Sequence, residues 1–247
     1  MNRFFIASVV AVALAAANAR ATTIAQWTFE SAASTLAITN PASPGAGNPS
    51  GNVLPEVGSG KAFGQHVGAS TYSAPGGDLD PTIAASDAGA TAANSSPSLH
   101  GFSSTAWAVG DYYQFQVSTL GLSGIQVEWD QAGSNTGPGQ FVLQYSLDGS
   151  SFTTIGGTRT VPLSAWNTTT VQPASFSESG FAGAVDNQTT VYFRLTDLST
   201  VSVNGGTVAS GGTDRIDNFT VISVPEPSSV ALVGAGLLGL LALRRRV

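Results

Sequence analysis

The sequence contains no cysteine and only two histidines among its 247 residues. The absence of thiols excludes disulfides, Cys-ligated zinc, iron–sulfur clusters and thiol nucleophiles, and two histidines are too few for a His-rich metal centre. Charged residues are also scarce, at 10% of the chain against about 25% in an ordinary soluble domain. Low charge combined with 29 glycines and many small polar residues is typical of extracellular all-β proteins and untypical of cytosolic helical enzymes.

Positive charge is almost missing from the middle of the chain. Residues 22–224 contain 4 basic residues (Lys61, Arg159, Arg194 and Arg215) and 14 acidic residues, which gives this segment a formal net charge of −10. A body with this charge repels the phosphates of nucleic acids and the headgroups of anionic lipids. We therefore expect no nucleic acid partner.

The N-terminus has the three parts of a secretory signal peptide. Arg3 supplies the positive charge, residues 4–17 form a short apolar run, and Ala19 and Ala21 provide a cleavage site of small residues. The alternative, a membrane anchor, is disfavoured because the run is shorter than the roughly 20 residues that a spanning helix needs. The pattern predicts a signal peptide over residues 1–21, which signal peptidase removes after Ala21.

The C-terminus carries a second set of sorting features. They are a Pro-Glu-Pro triplet, an apolar run and a basic cluster: Pro225, Glu226, Pro227, residues 230–243, Arg244, Arg245 and Arg246. A transmembrane helix of this length extends about 21 Å, which is short of the ~30 Å hydrocarbon core, so it would span only with its flanks or in a thinned bilayer. The arginines would keep the tail on the cytoplasmic side, which leaves the body outside the cytoplasm.

Triplet, apolar helix and arginine cluster together resemble the PEP-CTERM sorting signal over about the last 24 residues. In that family the signal is recognised by exosortase, an integral membrane protease or transpeptidase of Gram-negative bacteria, and the family is associated with exopolysaccharide and biofilm producers. The resemblance implies that residues 225–247 hold the protein briefly in the inner membrane with its body in the periplasm. Exosortase would then process it near the triplet for release to the cell surface or the extracellular matrix. A plain C-terminal anchor that is never processed is the alternative.

Aromatic residues divide the body into two parts. Between residues 31 and 100 the only ones are Phe63 and Tyr72, whereas residues 101–224 contain fifteen. We therefore expect residues 22–100 to supply a first strand and Gly/Ala/Ser/Pro-rich loops, residues 101–224 to supply the main strands, and both to form one domain.

Apolar and polar residues of the body alternate with a period of two, which is the period of a β-strand with one buried face. The alternation predicts strands over residues 24–29, 112–118, 125–130, 141–147, 152–155, 191–196 and 216–222. Asp148-Gly149, between two of them, is a hairpin signal. Short alternating strands separated by turns predict an all-β fold, an antiparallel two-sheet sandwich of the jelly-roll-like kind.

The order of short motifs in the body resembles that of secreted bacterial carbohydrate-binding or laminin-G-like sandwiches. The motifs are WTFE, WAVGDYY, QYSLDGSSF, VYFRL and RIDNFTV, at residues 27–30, 107–113, 144–152, 191–195 and 215–221. The resemblance implies the fold more than a ligand.

Asp217 is a candidate metal ligand. Strict alternation would place it on the face of Phe219 and Val221, where an unpaired carboxylate costs several kcal/mol. In carbohydrate-binding-like sandwiches a carboxylate near the first strand and one in the last strand often share a structural calcium, and the resemblance implies Glu30 and Asp217 for these positions. The alternatives are an ion pair of Asp217 with Arg215 or Arg194, or a register shifted by one residue that turns Asp217 to water. Apart from this calcium we expect no cofactor.

Aromatic side chains on polar faces or in loops are candidates for stacking against sugar rings. Trp129 lies on an apolar strand face and is predicted to be core. The candidate ligand-binding residues fall on solvent-exposed strand faces or in loops: Tyr112, Trp166 and Tyr192. The alternative for them is ordinary surface packing.

Two carboxylates raise the question of catalysis. Glu128 and Asp130 lie two residues apart on the polar face of one strand, and paired carboxylates can hydrolyse glycosidic bonds. A solvated strand face is the favoured interpretation of them, and the sequence has no G-x-S-x-G, H-E-x-x-H or phosphate-loop motif. We therefore predict a non-enzymatic exported protein with a structural or adhesive role, associated with exopolysaccharide. A discrete carbohydrate-binding module and a polysaccharide hydrolase on a lectin-like sandwich are the alternatives.

Overall fold

Strands account for the regular secondary structure in the residues that the computed structural model describes, which are 21–28, 54–65, 82–84, 90–91, 97–98, 101–162 and 174–224. The fourteen strands of this part are β1 (Thr22–Trp27), β2 (Val57–Gly58), β3 (Lys61–Gln65), β4 (Thr82–Ala84), β5 (Ala90–Thr91), β6 (Pro97–Ser98), β7 (Gly101–Ser104), β8 (Tyr112–Val117), β9 (Ile125–Gly133), β10 (Gln140–Ser146), β11 (Thr153–Thr160), β12 (Ala174–Glu178), β13 (Val191–Asp197) and β14 (Asp214–Ser223). In these same ranges no helix has the length and hydropathy that a membrane span requires. The predicted transmembrane segment at residues 230–243 and the first 20 residues of the predicted signal peptide lie outside them.

Two antiparallel sheets form the body. The larger has seven strands, ordered β12-β9-β14-β1-β2, with β7 paired to β14 and β4 paired to β7. The smaller has five strands in the order β11-β10-β13-β8-β3, and β5 and β6 form a separate pair. Strands that follow each other in sequence, such as β8 and β9 or β13 and β14, lie in different sheets, so the chain crosses repeatedly between them as in a jelly roll. The predicted antiparallel two-sheet sandwich is confirmed.

The inner faces of the two sheets meet in an aromatic core. Phe115 of the five-stranded sheet stacks on Phe219 of the seven-stranded sheet, with ring centroids 3.5 Å apart. Trp27 packs edge-on against both rings, at 5.1 and 6.0 Å, and all three side chains are fully buried. Burial alternates residue by residue along β13, from Val191 to Leu195. The period of two in the sequence therefore identifies the core face of β13 correctly.

The predicted hairpin at Asp148-Gly149 joins β10 and β11, which pair antiparallel. Gly149 has a positive φ of 75°, a conformation that favours glycine. The carboxylate of Asp148 accepts hydrogen bonds from the N–H groups of Ser151 and Ser150, at 2.7 and 2.8 Å, and from Ser146 Oγ at 2.8 Å. These donors hold the pKa of Asp148 below its usual range, because they favour the charged form.

A bulge in β14 breaks the predicted alternation at Asp217. Asp217 pairs with Asp130 of β9, but the register shifts before Thr220, and Asn218 at the shift has a positive φ of 51°. Because a bulge adds one residue to its strand, Phe219 points into the core while Asp217 lies on the outer face with Asp130. The prediction that Asp217 shares the core face is therefore wrong, although its side chain is only 5% exposed.

Candidate ligand-binding face

The outer face of the five-stranded sheet carries two of the predicted ligand-binding residues. Side chains at alternate positions of a strand point to the same face, and directly paired residues of neighbouring strands share a face. We call the following three rows of side chains the polar face: Ser146, Tyr192, Gln116 and Lys61; Thr154, Gln144, Arg194 and Gln114; Val142, Thr196 and Tyr112. Amides, hydroxyls and aromatic rings dominate it.

Hydrogen bonds fix the amides of the middle row. Thr196 Oγ1 donates to Gln144 Oε1 at 2.8 Å, and Gln144 Nε2 donates to Thr154 Oγ1 at 3.2 Å. On the other side of β13, Arg194 Nε donates to Gln114 Oε1. These bonds link β11, β10, β13 and β8, and each holds one amide in a single orientation.

Arg194 is clamped between two aromatic rings at the centre of the polar face. Its guanidinium carbon lies 3.7 Å from the ring centroid of Tyr112 and 3.6 Å from that of Phe152. Its Nη2 also donates to the Tyr112 hydroxyl at 3.1 Å. Burial lowers the pKa of Arg194, with Tyr112 acting in the opposite direction, but an arginine stays charged in proteins. The clamp therefore holds a permanent positive charge in a fixed position by two cation–π contacts.

Tyr112 lies on the polar face as predicted, but its side chain is buried. The ring is 7% exposed, and the Arg194 guanidinium covers one of its faces. Burial raises the pKa of the Tyr112 hydroxyl, while Arg194 lowers it and Asp111 raises it further. The expectation that Tyr112 offers an open ring to a sugar is not met, because the stacking position is already taken by Arg194.

Tyr192 is half-buried on the polar face and rests on the hairpin turn. A Cβ atom added at Gly149 would lie 3.1 Å from Cζ of the Tyr192 ring, so the glycine makes room for the ring. Gln116 and Lys61 follow Tyr192 in the same row, and Lys61 is exposed. Tyr192 is thus an aromatic side chain of the polar face that solvent still reaches.

Sequence reasoning missed Phe152 and Arg194 as site residues. Phe152 was expected to resume a strand, but it precedes β11 and turns its ring onto Arg194. The available signals were an aromatic residue directly after a turn, and one of only four basic residues of the body at a polar position of an alternating strand. Neither signal alone indicates that the two side chains meet.

Two other predicted site residues, Trp166 and Glu30, lie outside the described residues. The pairing of Glu30 with Asp217 around calcium therefore remains a prediction. Asp217 Oδ1 accepts a hydrogen bond from the N–H of Asn218 at 2.6 Å. In the described ranges, no group of three or more His, Asp or Glu side chains could hold a metal ion.

Glu128 and Asp130 share the outer face of the seven-stranded sheet, as predicted. Asp130 is 7% exposed and accepts hydrogen bonds from Ser175 Oγ at 2.6 Å and from Asn218 Nδ2 at 3.0 Å. Glu128 accepts one from Gln126 Nε2 at 2.7 Å. The contacts of Asp130 tie β9 to its two neighbours, β12 and β14, which gives this carboxylate a structural role.

Three carboxylates are fully buried inside the sandwich, and the second interacts electrostatically with each of the other two: Asp111, Asp197 and Asp214. Asp197 comes from the five-stranded sheet and Asp214 from the seven-stranded sheet. Gln131 Nε2 donates to both carboxylate oxygens of Asp214, at 3.1 and 3.2 Å, and the Ser199 N–H donates to Asp197 Oδ1 at 2.9 Å. Asp197 Oδ2 is buried without a hydrogen-bond partner among the described residues.

The environment of two members of this buried acidic cluster, Asp197 and Asp214, favours the protonated carboxyl group. Burial raises the pKa of Asp197 to about 7, with the Ser199 N–H opposing and the Asp111 charge adding to the rise. Burial also raises the pKa of Asp214 well above its usual value, and the Asp197 charge contributes to this. Asp197 and Asp214 therefore hold protons at a pH where exposed carboxyl groups have lost them.

Both predicted processing regions flank the body directly. Ala21 is exposed and immediately precedes β1, and Val224 is 39% exposed and immediately follows β14. Cleavage after Ala21, or at any bond beyond Val224, would leave every described strand intact. The body thus keeps its sheets after processing at either end.

Several solved structures resemble the chain distantly. TmCBM61, solved in complex with β-1,4-galactotriose, is 10% identical over 66% of this chain and 88% of that chain, with a TM-score of 0.34. The N-terminal cellulose-binding domain of Cellulomonas fimi β-1,4-glucanase C is 10% identical over 53% and 83%, with a TM-score of 0.33. The K2 cleaved adhesin domain of Lys-gingipain is 16% identical over 50% and 72%, with a TM-score of 0.30. Similarity at this level says nothing about a ligand of this chain.

The curated proteins include no match to this sequence. One protein family does match, and it is described as the PEP-CTERM protein-sorting motif, over residues 223–246. The match begins at the last residue of β14 and covers the triplet, the apolar run and the arginine cluster. This chain therefore carries a PEP-CTERM sorting motif, which marks it as an exported protein and a substrate of exosortase.

Proposed function

We propose that the exported body binds polysaccharide at the polar face and has a structural or adhesive role in association with exopolysaccharide. Its route is through the inner membrane with the body in the periplasm, followed by removal of the sorting tail and release to the cell surface or matrix. The observation that carries the binding role is the fixed hydrogen-bonding network of the polar face, with Tyr192 beside it.

The chemistry of this network suits sugar hydroxyls. A glutamine amide and a threonine hydroxyl each donate and accept hydrogen bonds, as a sugar hydroxyl does. Because the bonds of Gln144 and Gln114 already hold the amides in place, a ligand need not pay the entropy of ordering them. The partly exposed Tyr192 ring offers an apolar surface for a sugar ring within the same patch.

The composition of the polar face favours binding without cleavage. Hydrolysis of a glycosidic bond generally needs two carboxyl groups flanking it. The described side chains of the three rows include no aspartate or glutamate. We therefore assign the body a non-enzymatic role, which is tested by the absence of new reducing ends when the processed protein is incubated with a polysaccharide that it binds.

Binding is tested with the secreted, processed protein and a panel of immobilised polysaccharides. Tyr192→Ala should weaken retention by at least about tenfold, because it removes the aromatic surface. Gln116→Ala, in the same row, should weaken it severalfold. The matched control is Gln126→Ala, a half-buried glutamine on the outer face of the other sheet, which should bind like the wild type. Equal effects of the two glutamine variants, or no binding to any polysaccharide, would overturn the proposal.

A further inference from the structure

Arg194, at the centre of the polar face, is a cation without an acidic partner among the residues that the structure describes. Another arginine of the body, Arg159, forms a salt bridge with Glu178 at 2.6 Å. Arg194 contacts instead two aromatic rings, an amide oxygen and a phenol oxygen. In the described part of the chain no carboxylate reaches it. Its positive charge is therefore available to a ligand.

The hydrogen bonds of Arg194 leave three of its N–H donors unused. An arginine has five N–H donors in a planar fork. One on Nε is directed to Gln114 and one on Nη2 to the Tyr112 hydroxyl, so three remain, on the two terminal nitrogens. Nη1 makes neither of these bonds and is not among the buried atoms that lack a partner, so this nitrogen is in contact with solvent.

The aromatic clamp determines how a ligand can approach. The ring centroids of Tyr112 and Phe152 lie 3.7 and 3.6 Å from the guanidinium carbon, so the two rings leave no room for a sugar ring to stack on it. Approach is limited to the plane of the group, where two parallel N–H donors match the two oxygens of a carboxylate. Because stacking and hydrogen bonds already fix the side chain, little rotamer entropy remains to be lost on binding.

The surroundings of Arg194 favour an acidic sugar. Tyr192 lies two residues away on the same strand and the same face, a separation of about 7 Å in an extended strand. Lys61 adds a second positive charge in the Tyr192 row, and Asp148, in the turn beside Tyr192, directs its carboxylate to backbone donors. Two of the four basic residues of a body with a net charge of −10 thus lie on one face.

We propose that Arg194 is a subsite for the carboxylate of a uronic acid residue, with Tyr192 stacking on a sugar ring of the same polysaccharide. The inference rests on the proposed polysaccharide-binding function and adds the ligand class. A bidentate, charge-assisted pair distinguishes a uronate from the corresponding neutral sugar by about tenfold or more.

The test compares polymers that differ only in the carboxylate. The secreted, processed protein is titrated with polygalacturonate and with its methyl-esterified form at about 0.15 M salt, where charges more than about 8 Å apart are largely screened. We expect the wild type to bind the acidic form at least about tenfold more tightly. Arg194→Lys keeps the charge but loses the fork, and the ratio of its affinities for the acidic and the esterified polymer should fall to near one.

Other results of this titration distinguish the Arg194 subsite from the proposed polysaccharide binding. Equal wild-type affinity for the two polymers, with binding still dependent on Tyr192, would overturn the Arg194 subsite and leave the proposed function standing. The subsite would also be overturned if Arg194→Lys preferred the acidic polymer as strongly as the wild type does. The same holds if the wild type preferred dextran sulfate over dextran as strongly as polygalacturonate over its methyl ester, because this indicates a general anion site. Absence of binding to all four polymers would overturn both proposals. The wild-type comparison decides even if the variant fails to fold.

Discussion

Raising the pH from about 4 to about 7 should weaken the fold, because buried carboxyl groups must then lose their protons inside the core. Burial raises the pKa of Asp197 to about 7 in the folded protein, against 3.8 for an ordinary aspartate. The folded state binds this proton more tightly than the unfolded state, so the stabilising contribution is complete below about pH 4 and is lost as the pH rises through about 7. The difference between the two pKa values corresponds to about 4 kcal/mol of unfolding free energy, and Asp214 shifts in the same direction.

Urea unfolding of the processed protein, followed by tryptophan fluorescence over a pH series, measures this loss. Asp197→Asn places a neutral group of the same shape in the core and should flatten the fall, so that the variant is more stable than the wild type at about pH 8. Asp148→Asn is the control: the pKa of Asp148 is lowered, so this carboxyl titrates below the window and the slope should not change. The reasoning is refuted if the unfolding free energy of the wild type stays constant or rises between about pH 4 and 8. It is also refuted if the unfolding free energy of Asp197→Asn falls with pH as steeply as that of the wild type.

Three further predictions concern the core, the turn and the metal hypothesis. Phe219→Ala should cost about 3–5 kcal/mol in chemical unfolding, and a loss below about 1 kcal/mol would contradict the stacked aromatic core. Gly149→Ala should cost about 1–2 kcal/mol, because alanine is strained at a positive φ, and should also weaken polysaccharide retention by displacing Tyr192; unchanged retention would separate the turn from the polar face. If Glu30 and Asp217 share a calcium ion, calcium should raise and a chelator lower the thermal midpoint of the wild type but not of Asp217→Asn, whereas equal wild-type midpoints would remove the site.

The fold could be predicted because its signal is local. Alternation along β8 and β13 identified buried side chains such as Phe115 and Phe193, each of which is fully buried, and Asp148-Gly149 identified a turn. The bulge in β14 could not be predicted in this way. It depends on one residue, Asn218, adopting a positive φ, and a strand with and without that kink has the same sequence pattern.

The site could be predicted only in part, because it depends on contacts between distant residues. The polar-face position of Tyr192 was predicted from the alternation in its strand, and its ligand-binding role stays a prediction. The stacking of Phe152 and Tyr112 on Arg194 joins three segments of the chain, and a basic residue in an alternating strand gives no sign of it. The buried acidic cluster was missed for the same reason, since Asp197 ends β13 and Asp214 begins β14, where polar residues are usually exposed.

The central claim is that this chain is trimmed at both ends on export and that its body then associates with polysaccharide. The most direct test is intact mass spectrometry of the protein recovered from the exopolysaccharide fraction of its producer. We predict a species that begins at Thr22 and lacks the arginine cluster at its C-terminus. Recovery of the untrimmed chain of 247 residues from the cytosol, with none in the polysaccharide fraction, would contradict the account.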